Sequence, residues 1–201
     1  MKIVIDPLRY YDLEGFLLTD VRSRFAKEGS LGAFDFFSII VWKANRAKTH
    51  IARRLRHKDP LQRQDLNAIV RDLTSDLARQ ETEKNRLGLL CKVWGFGLPM
   101  ASAILAILWP DDFTVYDVRV CEQLGQFRRL GNIQNYEGIW HGYVEYRDAV
   151  KGAVPSALSL RDKDRYLWAK SVVDQLNSDI KRGFENEPDA ELSVADYDNP
   201  D

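Results

Sequence analysis

The stretch Val93-Trp94-Gly95-Phe96-Gly97-Leu98-Pro99-Met100-Ala101-Ser102-Ala103-Ile104-Leu105 organises the reading of this chain. Two glycines bracket one apolar residue and then open a helix rich in small side chains. Glycine permits a tight turn and leaves backbone N–H groups uncovered at the helix start, where unsatisfied donors and the positive end of the dipole attract a phosphate. Phe96 is expected to pack back between the two flanking helices. Pro99 falls in the first helical turn, where a missing N–H costs little, and Ala101, Ser102 and Ala103 allow close helix approach. A Gly-x-Gly alone equally suits any helix-to-helix turn, so its meaning depends on what surrounds it.

Outward from this hairpin, helical periodicity dominates. Glu83 to Val93 reads as the entering helix and Pro99 to Leu108 as the leaving one, which Pro110 ends. Downstream, Val118–Leu124, Tyr136–Val150 and Arg161–Ile180 are expected to be helical, with Gly125, Gly131 and the Ala153–Ser156 region as breaks. Upstream, Leu13, Phe16, Leu17, Val21 and Phe25 predict one helix that stops near Gly29. Phe37, Ile40, Val41, Ala44 and Ile51 predict a second, running from Phe34 past Arg53 to a stop at Asp59-Pro60. Leu66, Ile69, Val70, Leu73 and Leu77 make a third. Strand signals are confined to Lys2–Ile5 and to Phe113–Tyr116, so the expected class is all-α.

At 201 residues, with 45% hydrophobic and 29% charged residues, the chain can bury a core without staples and is neither fibrous nor membrane-like in composition. The opening MKIVIDPLRYYD has an apolar run too short for a signal-peptide core, which sets a cytoplasmic expectation. Cys91 and Cys121 lack zinc-site spacing and the four-cysteine array of an iron–sulfur cluster, and are expected as buried thiols. The net charge of −1 conceals an asymmetry. Seven acidic and no basic residues lie between Glu185 and Asp201, which leaves residues 1–184 at +6. The expected organisation is a helical domain over 1–184, in one or two lobes, with a solvated, disordered acidic tail over 185–201.

The residues downstream of the hairpin give it a more specific meaning. Gly95-Phe96-Gly97, the helix through Leu108, Pro110, and then Val115-Tyr116-Asp117-Val118-Arg119-Val120 resemble the hairpin and catalytic loop of the helix-hairpin-helix (HhH-GPD) DNA glycosylases, such as endonuclease III, adenine glycosylase and oxoguanine glycosylase. The motif resemblance covers Leu90 to Leu124 and is only architectural elsewhere. It implies a two-lobed helical fold with the active-site cleft between the lobes, and a base flipped out of duplex DNA. It also implies that Asp117 is the catalytic carboxylate. Breaking an N-glycosidic bond builds positive charge on the sugar, and a fixed carboxylate beside C1′ stabilises that cation and orients or deprotonates a water. Asp117 before Val118 and Val120 is equally a good helix N-cap, and the two roles are compatible.

One departure from the family pattern is informative. Bifunctional members carry a lysine where this chain has Pro99, so the Schiff-base route to strand cleavage loses its nucleophile, and Lys92 lies before the hairpin, where it is expected to face solvent or phosphate. The expectation is a monofunctional glycosylase that leaves an abasic site, in repair or in defence against modified foreign DNA. The resemblance further implies a K+ or Na+ ion held by the main-chain carbonyls of Cys91, Val93 and Phe96, with no other cofactor required.

Between Asp35 and Asp59 no acidic residue interrupts Lys43, Arg46, Lys48, Arg53, Arg54, Arg56 and Lys58, joined by His50 and His57. This run reads either as a phosphate-contacting face or as a solvated helix surface. The residues expected at DNA are Gly95, Gly97, Pro99 and Met100 of the hairpin with Lys43, Arg46 and Arg119, while Trp42 and Tyr116 are expected to line the base pocket. His141 is expected to be a structural histidine. Double-stranded DNA is the expected partner of a monomeric protein that does not meet a membrane. Two other readings stay open: an HhH module that binds DNA without catalysis, and a helical interaction domain whose hairpin serves packing alone.

Overall fold

The computed structural model describes residues 5–155 and 157–184, which leaves the acidic tail and most of the Lys2–Ile5 segment outside the described residues. Among the described residues there is no strand, and the chain is all-α. No helix among them is long and apolar enough to cross a membrane. The chain divides into two compact units. One comprises residues up to Phe96 with Met100–Trp109, the other Gly97–Pro99 with residues from Pro110 onward.

In the first unit, α1 (Pro7–Tyr11) starts on an Asp6 cap and α2 (Leu13–Phe16) on an Asp12 cap. The chain continues from α2 through a π-helical turn at Leu17–Val21 into α3 (Arg22–Glu28), which ends at Gly29 with φ +67°. This is the first expected helix, carrying a π turn that apolar spacing does not reveal. The second expected helix is two. α4 (Ala33–Ala44) breaks at Ala44, a one-turn 3₁₀ segment follows at Asn45–Ala47, and α5 spans Lys48–Lys58. Ile40 and Ile51 are about three helical turns apart, so the apolar stripe stays in phase across the break and conceals it.

α6 (Leu66–Arg79) is capped by Asp65 and buries Ile69, Val70, Leu73 and Leu77. Its Thr74 hydroxyl accepts the Leu31 N–H at 2.8 Å, tying the α3–α4 connection to the core. α7 (Glu83–Gly88) runs into a second π turn at Leu89–Val93, and α8 spans Leu98–Leu108, belonging to this unit from Met100 onward. Ala101 and Ala103–Ile107 are fully buried. A helix apolar on every side is stable only when enclosed, and α8 is the most apolar of the set.

In the second unit, α9 (Val118–Leu124), α10 (Tyr136–Ala153) and α11 (Leu160–Lys181) follow the expected bounds closely, and a 3₁₀ turn at Leu130–Asn132 links α9 to α10. Phe113–Tyr116 is extended but pairs with no strand. Its backbone groups must still be satisfied when buried, and side chains do this instead. Tyr143 Oη donates to the Thr114 carbonyl at 2.7 Å and accepts the Thr114 N–H at 3.0 Å. Tyr146 Oη donates to the Val115 carbonyl at 2.8 Å, and Asp164 Oδ2 accepts the Val115 N–H at 3.2 Å.

Candidate functional site

The hairpin begins where the π turn at Leu89–Val93 ends. The Trp94 N–H bonds the Leu89 carbonyl at 3.1 Å, and the Phe96 N–H bonds the Leu90 carbonyl at 2.9 Å. Between them Gly95 sits at φ +69°, in the left-handed region that a side chain resists. Phe96 is buried, with its ring 6.3 Å from that of Phe36 on α4. Gly97 is exposed and has no left-handed backbone, and a Cβ there would meet only Pro99 Cδ at 3.8 Å. The fold therefore requires glycine at 95 and merely accepts it at 97.

The basic run meets this turn. Arg54 Nη1 donates to the Gly95 carbonyl at 2.6 Å, and Arg54 Nη2 lies 2.9 Å from His50 Nε2. Guanidinium nitrogens only donate, so His50 Nε2 is the acceptor in this bond. A Cβ on Gly95 would stand 3.7 Å from Lys58 Cε. His50, Arg54 and Lys58 follow one another at four-residue spacing along a single face of α5, while Ile51 and Leu55 are buried. The acidic residues that bound the run are engaged elsewhere. Arg24 holds Asp35 through two bonds of 2.7 Å, and Arg63 holds Asp59 at 2.7 Å, lowering the Asp59 carboxyl to about 2.

Sequence reasoning chose Lys43 and Arg46 from this run. Lys43 is half-buried in the last turn of α4 and Arg46 exposed in the 3₁₀ segment, whereas Arg54 and Lys58 are the residues beside the turn. The missed signal is the 50-54-58 spacing. Trp42 is half-buried near the end of α4. Pro99 lies in the first turn of α8 and Lys92 is exposed, whereas the Met100 side chain is interior, so any phosphate contact at 100 runs through the backbone.

The carbonyl donors expected for a monovalent cation, those of Cys91, Val93 and Phe96, are of the right kind. The neighbouring carbonyl, that of Gly95, is taken by the Arg54 guanidinium.

In the second unit Asp117 is the N-cap of α9, with Oδ1 accepting the Arg119 N–H at 3.0 Å. Tyr116, expected in a base pocket, is 5% exposed and serves the fold. Its hydroxyl donates to the carbonyls of Phe127 and Arg128 at 2.9 and 3.2 Å and accepts the Gly131 N–H at 3.1 Å. Its ring stands edge-on to Tyr146 at 5.3 Å. Arg119 Nη1 donates to Gln175 Oε1 at 2.7 Å on α11.

Tyr146, Tyr143 and Asp164, which hold the stretch leading to Asp117, are residues that sequence reasoning missed. Besides Val115, Tyr146 takes a backbone hydrogen bond from Asp117, and burial holds its hydroxyl well above the usual phenol range, so it remains a neutral donor. Asp164 is ion-paired with Arg161, both buried. His141, by contrast, is exposed and pairs with Glu145 at 3.3 Å. Cys121 is buried and Cys91 half-buried, and desolvation pushes their thiols up to about 11 and about 12. No protein-family model, curated protein or solved structure matches this chain.

Proposed function

We propose that this chain is a monofunctional DNA glycosylase of the HhH type, hydrolysing the N-glycosidic bond of a damaged or modified base flipped out of duplex DNA. The observation that carries the reading is the Arg54 bond to Gly95: two features that sequence suggests independently for phosphate binding, the basic run and the first glycine of the hairpin, meet within one unit. The cationic edge of α5, with Arg54 at the Gly95 carbonyl and Lys58 beside it, then offers charge to a phosphodiester. Asp117 supplies the carboxylate that stabilises the oxocarbenium-like sugar and orients the attacking water. Its attachment to the start of α9 fixes the side chain that would do so.

Pro99 has no amine, so hydrolysis rather than Schiff-base chemistry follows, and an abasic site is the product. Base recognition falls to Trp42 and to groups other than Tyr116, whose hydroxyl is committed to the 127–131 loop. The proposed role is repair or defence against modified foreign DNA, in the cytoplasm. The test is incubation with duplexes that each carry one modified base, followed by alkali and, separately, by borohydride. Alkali-dependent cleavage without a trapped covalent adduct is expected. Efficient trapping contradicts the monofunctional assignment, and no cleavage on any substrate leaves a DNA-binding module.

A further inference from the structure

α11 is built inside out relative to an ordinary surface helix. Its inward face carries Leu160, Asp164, Leu167 and Ser171, and polar side chains such as Arg161 and Asp179 are also buried. Its outward face carries Tyr166, Ala169, Val173, Leu176 and Ile180, all exposed, with Val173 56%, Leu176 51% and Ile180 59% accessible. The spacing of these five alternates three and four, which is the narrow a/d seam of a coiled coil rather than the broader stripe of a helix packed on a core. With Phe184 beyond the helix end, the half-exposed side chains present on the order of 500 Å² of apolar surface, near the largest patch an ordinary monomer tolerates.

We infer that this seam pairs with the same seam of a second copy of the chain, antiparallel, in a two-fold dimer. A seam of this width fits another helix, and the seam is complementary to itself. Set antiparallel, Val173 faces the partner's Leu176, small Ala169 faces the partner's Ile180, and Tyr166 reaches over the partner's Gly183, where the helix has ended with φ +64°. Every large side chain thus meets a small one or a neighbour of matching size. Set parallel, Tyr166 meets the partner's Tyr166 and Ala169 the partner's Ala169, which crowds one layer and leaves a void in the next.

Charge agrees with shape. A parallel pair opposes Arg165 with the partner's Lys170 along the seam edge, whereas the antiparallel pair sets Lys170 against the partner's Asn177, with no like charges opposed there. Adding the polar flank at Lys170, Asn177 and Lys181 brings each side toward the roughly 800 Å² per partner of a specific interface. The contact is isologous and closes on itself, so it yields a dimer and not a filament. This departs from the monomer expected from sequence, and it does not depend on the glycosylase reading.

The test is sedimentation velocity of the full-length chain from low to high micromolar concentration, beside Leu176→Glu. The native chain is expected to move from monomer to dimer as concentration rises, and Leu176→Glu to remain monomeric with an unchanged circular dichroism spectrum, since the position is exposed. Cross-linking fixes the direction, in a background with Cys91→Ser. Val173→Cys mixed with Leu176→Cys is expected to give a disulfide dimer between the two variants. A native chain that stays monomeric overturns the proposal, as does a dimer indifferent to Leu176→Glu. Cross-linking of Val173→Cys with itself in preference to the mixture overturns the antiparallel arrangement.

Discussion

The turn at Gly95 and the extended stretch Phe113–Asp117 are both irregular backbone at positions proposed for function, yet they are held by opposite means. The extended stretch is fixed from the inside, by hydrogen bonds with buried Tyr143, Tyr146 and Asp164. The Gly95 turn is fixed partly from the outside, by a guanidinium on a helix edge that carries His50 and Lys58. A carboxylate that must stay aligned with a sugar benefits from the first kind of support. A loop that must receive a phosphate benefits from the second, because a cation bonded to a neutral carbonyl can re-aim at an anion for little cost.

This contrast gives predictions of decreasing size. Asp164→Ala leaves Arg161 buried without its partner and orphans the Val115 N–H, and is expected to cost about 3–5 kcal/mol in urea unfolding. Tyr143→Phe removes both bonds to Thr114 and is expected to cost about 2–4 kcal/mol by the same measurement. Losses below about 1 kcal/mol for both would show that the stretch holds itself and would erase the distinction between the two regions.

The first unit has its own acid-sensitive anchor at the end of α5. Asp59 titrates at about 2 instead of 3.8 because Arg63 bonds its carboxylate, so its contribution to stability is complete above the ordinary carboxylate range and is lost as pH falls toward 2. Asp59→Asn should therefore be less stable than the native chain at neutral pH, with the gap closing between pH 4 and pH 2 in acid titrations followed by circular dichroism. A constant gap would assign the effect to shape and not to charge.

Smaller still, Gly95→Ala forces a side chain into the left-handed region and is expected to lower stability by about 1–2 kcal/mol, while Gly97→Ala should be close to neutral in thermal unfolding. If the exposed Gly97 backbone receives phosphate, the same Gly97→Ala should weaken DNA binding without weakening the fold. Arg54→Gln is expected to change stability by less than about 1 kcal/mol, yet to lower duplex affinity and reduce the slope of log affinity against log salt by about one. A large stability loss with an unchanged salt slope would make Arg54 a strut only.

Much of the fold was legible in the sequence, and the omissions have physical causes. Helices α6, α9 and α11 follow from helical patterning, and the start of α9 from its Asp117 cap, because local signals fix them. The break at Ala44 was hidden because the stripe keeps its phase across it. Phe113–Tyr116 has strand composition but is satisfied by side chains from α10 and α11, at separations of 29 to 49 residues that no local pattern encodes. Tyr116 reads as an aromatic beside a carboxylate and is a loop clamp, since composition says nothing of where its hydroxyl goes. The exposed seam of α11 was concealed for a related reason: periodicity reveals an apolar face but not which way it turns.

Replacing Asp117 by asparagine separates chemistry from structure, because Asn caps a helix about as well as Asp. On any modified duplex that the native chain cleaves after alkali, Asp117→Asn is expected to keep the native melting temperature and duplex affinity and to lose base excision. Retention of excision at near-native rate by a folded Asp117→Asn would contradict the account and reduce Asp117 to the cap of α9.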